Sequence, residues 1–186
     1  MRPETGEVLI DIARGAIARE LGREYRAQAV APWLDEPGAT FITLMQSNQL
    51  RGCIGSLRAH RPLIDDVKAN AIAAAFRDPR FPPLRVEELE KTDVEISLLS
   101  ALEPLDATDE EHALAQLKPG VDGIVFLYGH HQSTFLPQVW EQFSEPREFL
   151  SHLKYKAGLP PDFWDAQVKL QRYTVSKWRE QDLKTS

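Results

Sequence analysis

Apolar and polar positions along this chain change period several times, and each change marks an element. Leu9, Ile12, Ala16 and Leu21 recur at helical spacing, while Arg14, Arg19 and Glu20 fall mostly elsewhere. The spacing predicts an amphipathic helix from about Glu4 to Leu21, with Gly22 as its stop. "EPG" at 36–38 is a turn, and "ATFITLM" then alternates as a strand. Ser47-Asn48 reads as the turn of a hairpin whose return strand is Gln49–Leu57. Pro62 suits the first turn of a helix running through "LIDDVKANAIAAAFRD", with Leu63, Val67, Ala71 and Ala74 or Ala75 as its apolar stripe. Pro79 ends it, and the three prolines of "PRFPPL" require a loop.

"VEELEK" follows as a short helix, then "TDVEISLLS" as a strand with Val94, Ile96 and Leu98 on one face and Glu95 and Ser97 on the other. Thr108 and Glu111 make a capping box for a helix through Leu117. "IVFLYG" is an apolar strand, Gly129-His130-His131 its turn, and "STFLPQVW" the return, with Pro137 forcing the backbone out of regular pairing. Ser144 is expected to cap "EPREFLSHLKYKA", Gly158 to terminate it, and "AQVKLQRYTVSKW" to form the last strand. The order hairpin, helix, strand therefore occurs twice, from about Ala39 to Ser100 and from about Val121 to Lys177. Hairpins dominate, so the class is α+β with mostly antiparallel pairing. No linker or low-complexity stretch divides the halves, and one integrated domain over 1–186 is expected.

Composition narrows the function classes. Of 186 residues, 42% are apolar and 27% charged, ordinary for a soluble globular chain able to bury a core. One cysteine cannot make an internal disulfide or a multi-thiolate metal site, which suits a reducing cytoplasm. No secretory leader or membrane span is read. The net charge of −6, with scattered basic residues, argues against a nucleic-acid binder. The histidines lack ligand spacing, so no metal site is expected, and no phosphate loop, G-x-S-x-G or H-E-x-x-H occurs. No cofactor is indicated.

The stretch with chemical promise is "LRGCIGS", residues 50–56. Strand alternation puts Arg51, Cys53 and Gly55 on one face. A guanidinium beside a thiol favours the reactive thiolate. Gly52 and Gly55 permit close approach by a ligand or by another backbone, or else mark bulges. The plain alternative is a buried cysteine acting as a small apolar residue in a crowded sheet. In "FRDPRF", Asp78 stands at a helix C-terminus, where the macrodipole disfavours an anion. An Asp-Pro turn, an ion pair with Arg80 or a polar cleft would each account for it. Asn70 and Arg77 share a helical face with Ala74. Glu95 and Ser97 share a strand face, and Thr134 and Gln138 flank the broken strand at Pro137.

"LRGCIGS", "NAIAAAFRDPRFPPL", "EISLLS", "PGVDGIV", "STFLPQVW" and "FLSHLKYKAGLP", in that order, resemble the AMMECR domain family, that of protein A of the AmmeMemoRadiSam system. The resemblance covers nearly the whole chain. It implies an α+β fold with two repeats around one barrel-like sheet, and two lobes flanking a cleft. It also implies a Memo-like protein and a radical SAM protein as pathway partners. It points to Arg51, Gly52, Cys53 and Gly55 as a functional site, and by motif membership to Asn70, Asp78, Arg80, Glu95, Thr134 and Gln138. Two readings stay open. In one, Cys53 is a nucleophile or carrier thiol, Arg51 lowers its pKa or holds an anion, and Asp78 or Glu95 accepts the proton. In the other, the motif builds a groove for a small molecule, a peptide or a protein, and Cys53 only packs.

Overall fold

The computed structural model describes residues 3–25 and 31–183. The chain divides into two compact units, one of residues 1–99 with 176–186 and one of residues 100–175. The second unit is thus an insertion between two parts of the first.

In the first unit, helix α1 spans Pro3–Glu20 and helix α2 spans Leu63–Phe76. The strands are β1 (Thr40–Gln46), β2 (Gln49–Gly55), β3 (Asp93–Leu99) and β8 (Val175–Arg179), in the order β2-β1-β3-β8. The β1–β2 and β1–β3 pairs are antiparallel. Ser47 and Asn48 turn the first hairpin with positive φ at both residues, as a two-residue loop demands. Alternation sends Ile42, Leu44, Val94 and Ile96 to the face where Leu9, Ile12 and Ile17 of α1 and Val67 and Ala71 of α2 meet them. Each such aliphatic side chain contributes about 1.5–3 kcal/mol on burial. Helix α1 ends as its glycine predicts. Gly22 takes a φ of +73°, and Arg23 N–H and Gly22 N–H reach back to the carbonyls of Ala18 and Arg19. "VEELEK" forms a 3-10 turn at Val86–Lys91, and the four-residue helix α5 (Glu180–Leu183) follows β8.

The second unit holds strands β4 (Glu103–Leu105), β5 (Gly123–Tyr128), β6 (His131–Phe135) and β7 (Lys169–Tyr173), in the order β4-β7-β5-β6, all antiparallel. Helices α3 (Glu110–Gln116) and α4 (Pro146–Lys156) supply Leu114, Phe149, Leu150 and Leu153 to its core, beside Ile124 and Phe126. Trp140 stacks on Phe149 with ring centroids 3.8 Å apart, and its indole N–H donates to the Asp122 carbonyl at 2.7 Å. Lys154 is fully buried and paired with Glu110 at 2.7 Å.

The α+β class and the doubled order of hairpin, helix and strand stand: β1-β2, α2, β3 and then β5-β6, α4, β7. In each, the strand after the helix pairs with the first strand of the hairpin. The single barrel-like sheet does not. There are two four-stranded sheets, and neither closes. The expected last strand is two strands, β7 and β8, which break at Thr174 and join different sheets. Helix α3 is capped by Asp109, whose carboxylate accepts from His112 N–H at 2.8 Å, rather than by Thr108. Glu145 rather than Ser144 precedes α4. His131 belongs to β6, leaving Gly129-His130 as the turn.

Candidate functional site

Strand β2 carries the cysteine motif, and it is an edge strand. Its register against β1 shifts between Leu44, opposite Gly52, and Met45, opposite Leu50, so Arg51 is the extra residue of a β-bulge. A bulge breaks alternation. Arg51 is consequently not the cation beside the thiol. It is buried, and its Nε and Nη2 fork onto both oxygens of Glu88 at 3.1 and 3.2 Å. Glu88 also accepts from Gln46 at 3.3 Å and from Arg85 N–H at 2.8 Å. The Arg51 hydrogen bonds hold the Glu88 carboxyl down at about 2.

The glycines serve the fold. A Cβ on Gly52 would stand 2.2 Å from the Ala74 carbonyl oxygen, so the backbone of α2 itself makes the close approach there. A Cβ on Gly55 would fall on the ring of Phe41, its partner across the hairpin. Ala74 is core, and Arg77 is exposed at the end of α2.

Cys53 is half-buried. It lies opposite Thr43, whose hydroxyl donates to the sulfur at 3.3 Å. Its backbone N–H and carbonyl point off the sheet edge, where "DPR" meets them. Asp78 Oδ2 accepts from Cys53 N–H at 2.9 Å, and Arg80 Nη2 donates to the Cys53 carbonyl at 3.3 Å. Asp78 and Arg80 thereby occupy the place of a neighbouring strand and cover the edge at this one residue. They also bind each other, Nη2 to Oδ2 at 2.7 Å and Nε to Oδ1 at 3.0 Å. The hydrogen bonds from Arg80 hold the buried Asp78 carboxyl well below the usual carboxylate range, and the Cys53 N–H adds to this. Asp78 in turn raises the Arg80 guanidinium. The Arg80 side chain stays 54% exposed. The guanidinium next to Cys53 is therefore Arg80, fixed in place by a buried carboxylate.

Asn70 belongs to a buried polar knot at the start of α2, centred on Asp66, which is fully buried. Asp66 accepts from Thr40 N–H and hydroxyl, each at 2.8 Å, from Ser56 at 2.7 Å, from Arg61 Nε at 2.9 Å and from Asn70 at 2.9 Å. Asn70 also donates to the Thr40 carbonyl at 3.0 Å. Glu95 lies opposite Thr43 on the other flank of β1, in one cross-strand row with Cys53. Strand spacing puts Cys53 and Glu95 about 10 Å apart. Glu95 is held by Lys177 at 2.6 Å and Arg179 at 2.8 Å. Thr134 and Gln138 lie in the second unit. The Thr134 hydroxyl donates to the Ile124 carbonyl at 2.9 Å and meets the Tyr173 hydroxyl at 3.1 Å; burial pushes Tyr173 up to about 12. Gln138 is exposed on the 3-10 turn Pro137–Glu141.

Sequence reasoning missed Thr43, Glu88 and Asp66. Thr43 was readable, because it shares the alternating face of Phe41 in the hairpin. The other two carry no local signal. Among the described residues, no cluster of three or more His, Cys, Asp or Glu is arranged to hold a metal ion. Among the described residues, no helix is long and apolar enough to cross a membrane.

Charge concentrates around the motif. Residues 50–85 hold seven basic side chains against three acidic ones, in a chain whose net charge is −6. Arg58, Arg77, Arg80 and Arg85 of that stretch are exposed. The exposed guanidinium, beside the half-buried thiol, can receive an anionic group.

A family model described as AMMECR1 matches residues 10–178. Protein MJ0810 of Methanocaldococcus jannaschii is 36% identical over 182 residues, covering 95% of this chain and 90% of that protein. Protein PF1979 of Pyrococcus furiosus is 37% identical, covering 97% and 90%. Among solved structures, the uncharacterized protein PH0010 from Pyrococcus horikoshii matches with a TM-score of 0.84 and 35% identity, covering 97% of this chain and 94% of that one.

Proposed function

As the chain belongs to the AMMECR1 family, we propose that it is a binding module whose Cys53 edge receives an anionic group, a carboxylate or phosphate carried by a small molecule or a partner protein. The observation that carries this reading is the Asp78–Arg80 clamp. It fixes a half-exposed guanidinium against the backbone of a half-buried thiol, within a basic stretch of an acidic chain. A guanidinium oriented in advance loses less entropy on meeting a carboxylate or phosphate, and with Nε and Nη2 taken by Asp78 and the Cys53 carbonyl it is Arg80 Nη1 that stays open to the anion. Arg51 has no such part, since it is buried as well as paired with Glu88. The Memo-like and radical SAM proteins that the family resemblance implies are the partners to test on this edge, and a cytoplasmic setting fits them.

Alkylation of Cys53 tests the reading, and the signal is unambiguous because the thiol is the only one. Iodoacetate is an anion and iodoacetamide is its neutral counterpart. The ratio of their rates is expected to exceed that of the urea-unfolded chain several-fold, to fall on addition of salt, and to fall in Arg80→Gln. A folded ratio equal to the unfolded one overturns the reading.

Catalysis by Cys53 is a second reading, favoured by the Thr43 hydroxyl at 3.3 Å from the sulfur. A thiol used as a nucleophile needs neighbouring polar groups, and this hydroxyl is one. Cys53→Ser separates the two, because it keeps anion and partner binding under the first reading and removes turnover under the second.

A further inference from the structure

At the opposite end of the row from Cys53, a cavity of about 380 Å³ opens between the β1–β2 turn and α5. Asn48, Asp93, Glu95, Arg179 and Gln181 are among its lining residues. Two of them have unused capacity of opposite sign. Arg179 is bonded only through Nε, to Glu95 Oε2, and this leaves both terminal guanidinium nitrogens free among the described residues. Glu95 has both oxygens engaged, one by Lys177 and one by Arg179, so it orients the guanidinium and offers no site of its own. Asp93, two residues before Glu95 on β3, shares its face and has no hydrogen-bond or ion-pair partner among the described residues.

We propose that this cavity binds a small zwitterion, specifically a free α-amino acid, with its carboxylate on the fork of Arg179 and its ammonium on Asp93. A planar guanidinium held at Nε presents two parallel N–H donors to a carboxylate. Asp93 supplies the acceptor that a cationic amine requires, and the amide of Asn48 is both donor and acceptor for the remaining polar atoms. The volume admits a molecule of amino-acid size together with water. A simple anion would leave Asp93 unsatisfied, and a simple cation would leave Arg179 so. The proposal does not depend on the Cys53 reading, since none of these residues belongs to the clamp.

Titration calorimetry and ligand-observed NMR with L-alanine, L-glutamine and L-lysine test it, with N-acetyl-alanine and alaninamide as blocked controls. At least one free amino acid is expected to bind saturably. Blocking either end should weaken binding about tenfold or more. Asp93→Asn should weaken the free amino acid but leave N-acetyl-alanine unchanged, and Arg179→Gln should do the same for the free acid and leave alaninamide unchanged. A melting midpoint close to that of the parent shows that each variant is folded. The proposal is overturned if none of the three amino acids binds at about 10 mM. It is equally overturned if blocked and free forms bind alike, or if a folded Asp93→Asn protein binds as the parent does.

Discussion

Glu88 shows how much one side chain can decide at the residue scale. It closes the bulge by taking both ends of the Arg51 fork, and it joins the 3-10 turn to the first hairpin through Gln46. Its carboxyl sits at about 2 when folded, below its ordinary 4.5. A carboxyl depressed by folding contributes stability above its unfolded pKa, and the contribution is lost as pH falls through the folded value. Asp78 shifts in the same direction. Stability should therefore be full at neutral pH and decline between about pH 5 and pH 2. Because Glu88 is a quarter exposed, solvent screening limits its share to about 1–2 kcal/mol. Urea denaturation across that range should give a shallower decline for Glu88→Gln than for the parent. Parallel curves would remove Glu88 from the account.

Elements owe their placement here to buried polar contacts as much as to apolar ones. The knot on Asp66 ties the start of α2 to β1 and to the end of β2. Asp66→Ala leaves Thr40 N–H without an acceptor, takes one acceptor from Asn70, and leaves Arg61 without its counter-ion. Leaving a buried donor such as Thr40 N–H unsatisfied costs about 1–3 kcal/mol, and the denaturation midpoint should fall accordingly. A loss of less than about 1 kcal/mol would mean that the knot is dispensable. Periodicity made both long helices, both hairpins and β3 legible before any coordinates, because one face of each meets a core. The knot was not legible, since an aspartate in a first helical turn reads as an ordinary complement to the macrodipole. Arg51 misled for a related reason. Alternation assigns a face only while the register holds, and the glycines of "LRGCIGS", which can mark bulges, do not say that Arg51 is the extra residue. Asp78 was anticipated as a residue needing a local reason, and the expected ion pair with Arg80 forms, but its second partner, the backbone of Cys53 twenty-five positions away, was not legible. The split of the last strand at Thr174 was hidden because its two parts have the same apolar content and differ only in the sheet they join.

The insertion sets behaviour at the scale of the whole molecule. Residues 100–175 contain all four strands of their sheet, and they contain their own aromatic core. The first unit is completed only by residues beyond 175. Strand β8 brings the two cations of Glu95, and Glu180 of α5 accepts from the buried Val94 N–H at 3.1 Å and pairs with Arg14. A fragment of residues 100–175 should give a dispersed amide spectrum and a cooperative melt, whereas residues 1–99 alone should give neither. A well-folded 1–99 fragment would show that β8 and α5 are accessory. The same topology bears on biosynthesis. When β3 leaves the ribosome its outer flank has no partner, and roughly 75 more residues must be translated before β8 can cover it. At ordinary elongation rates that interval lasts roughly 4 to 15 seconds. For that time a nascent chain carries an open strand edge, the kind of surface that holdase chaperones bind and that neighbouring nascent chains on a polysome can pair with.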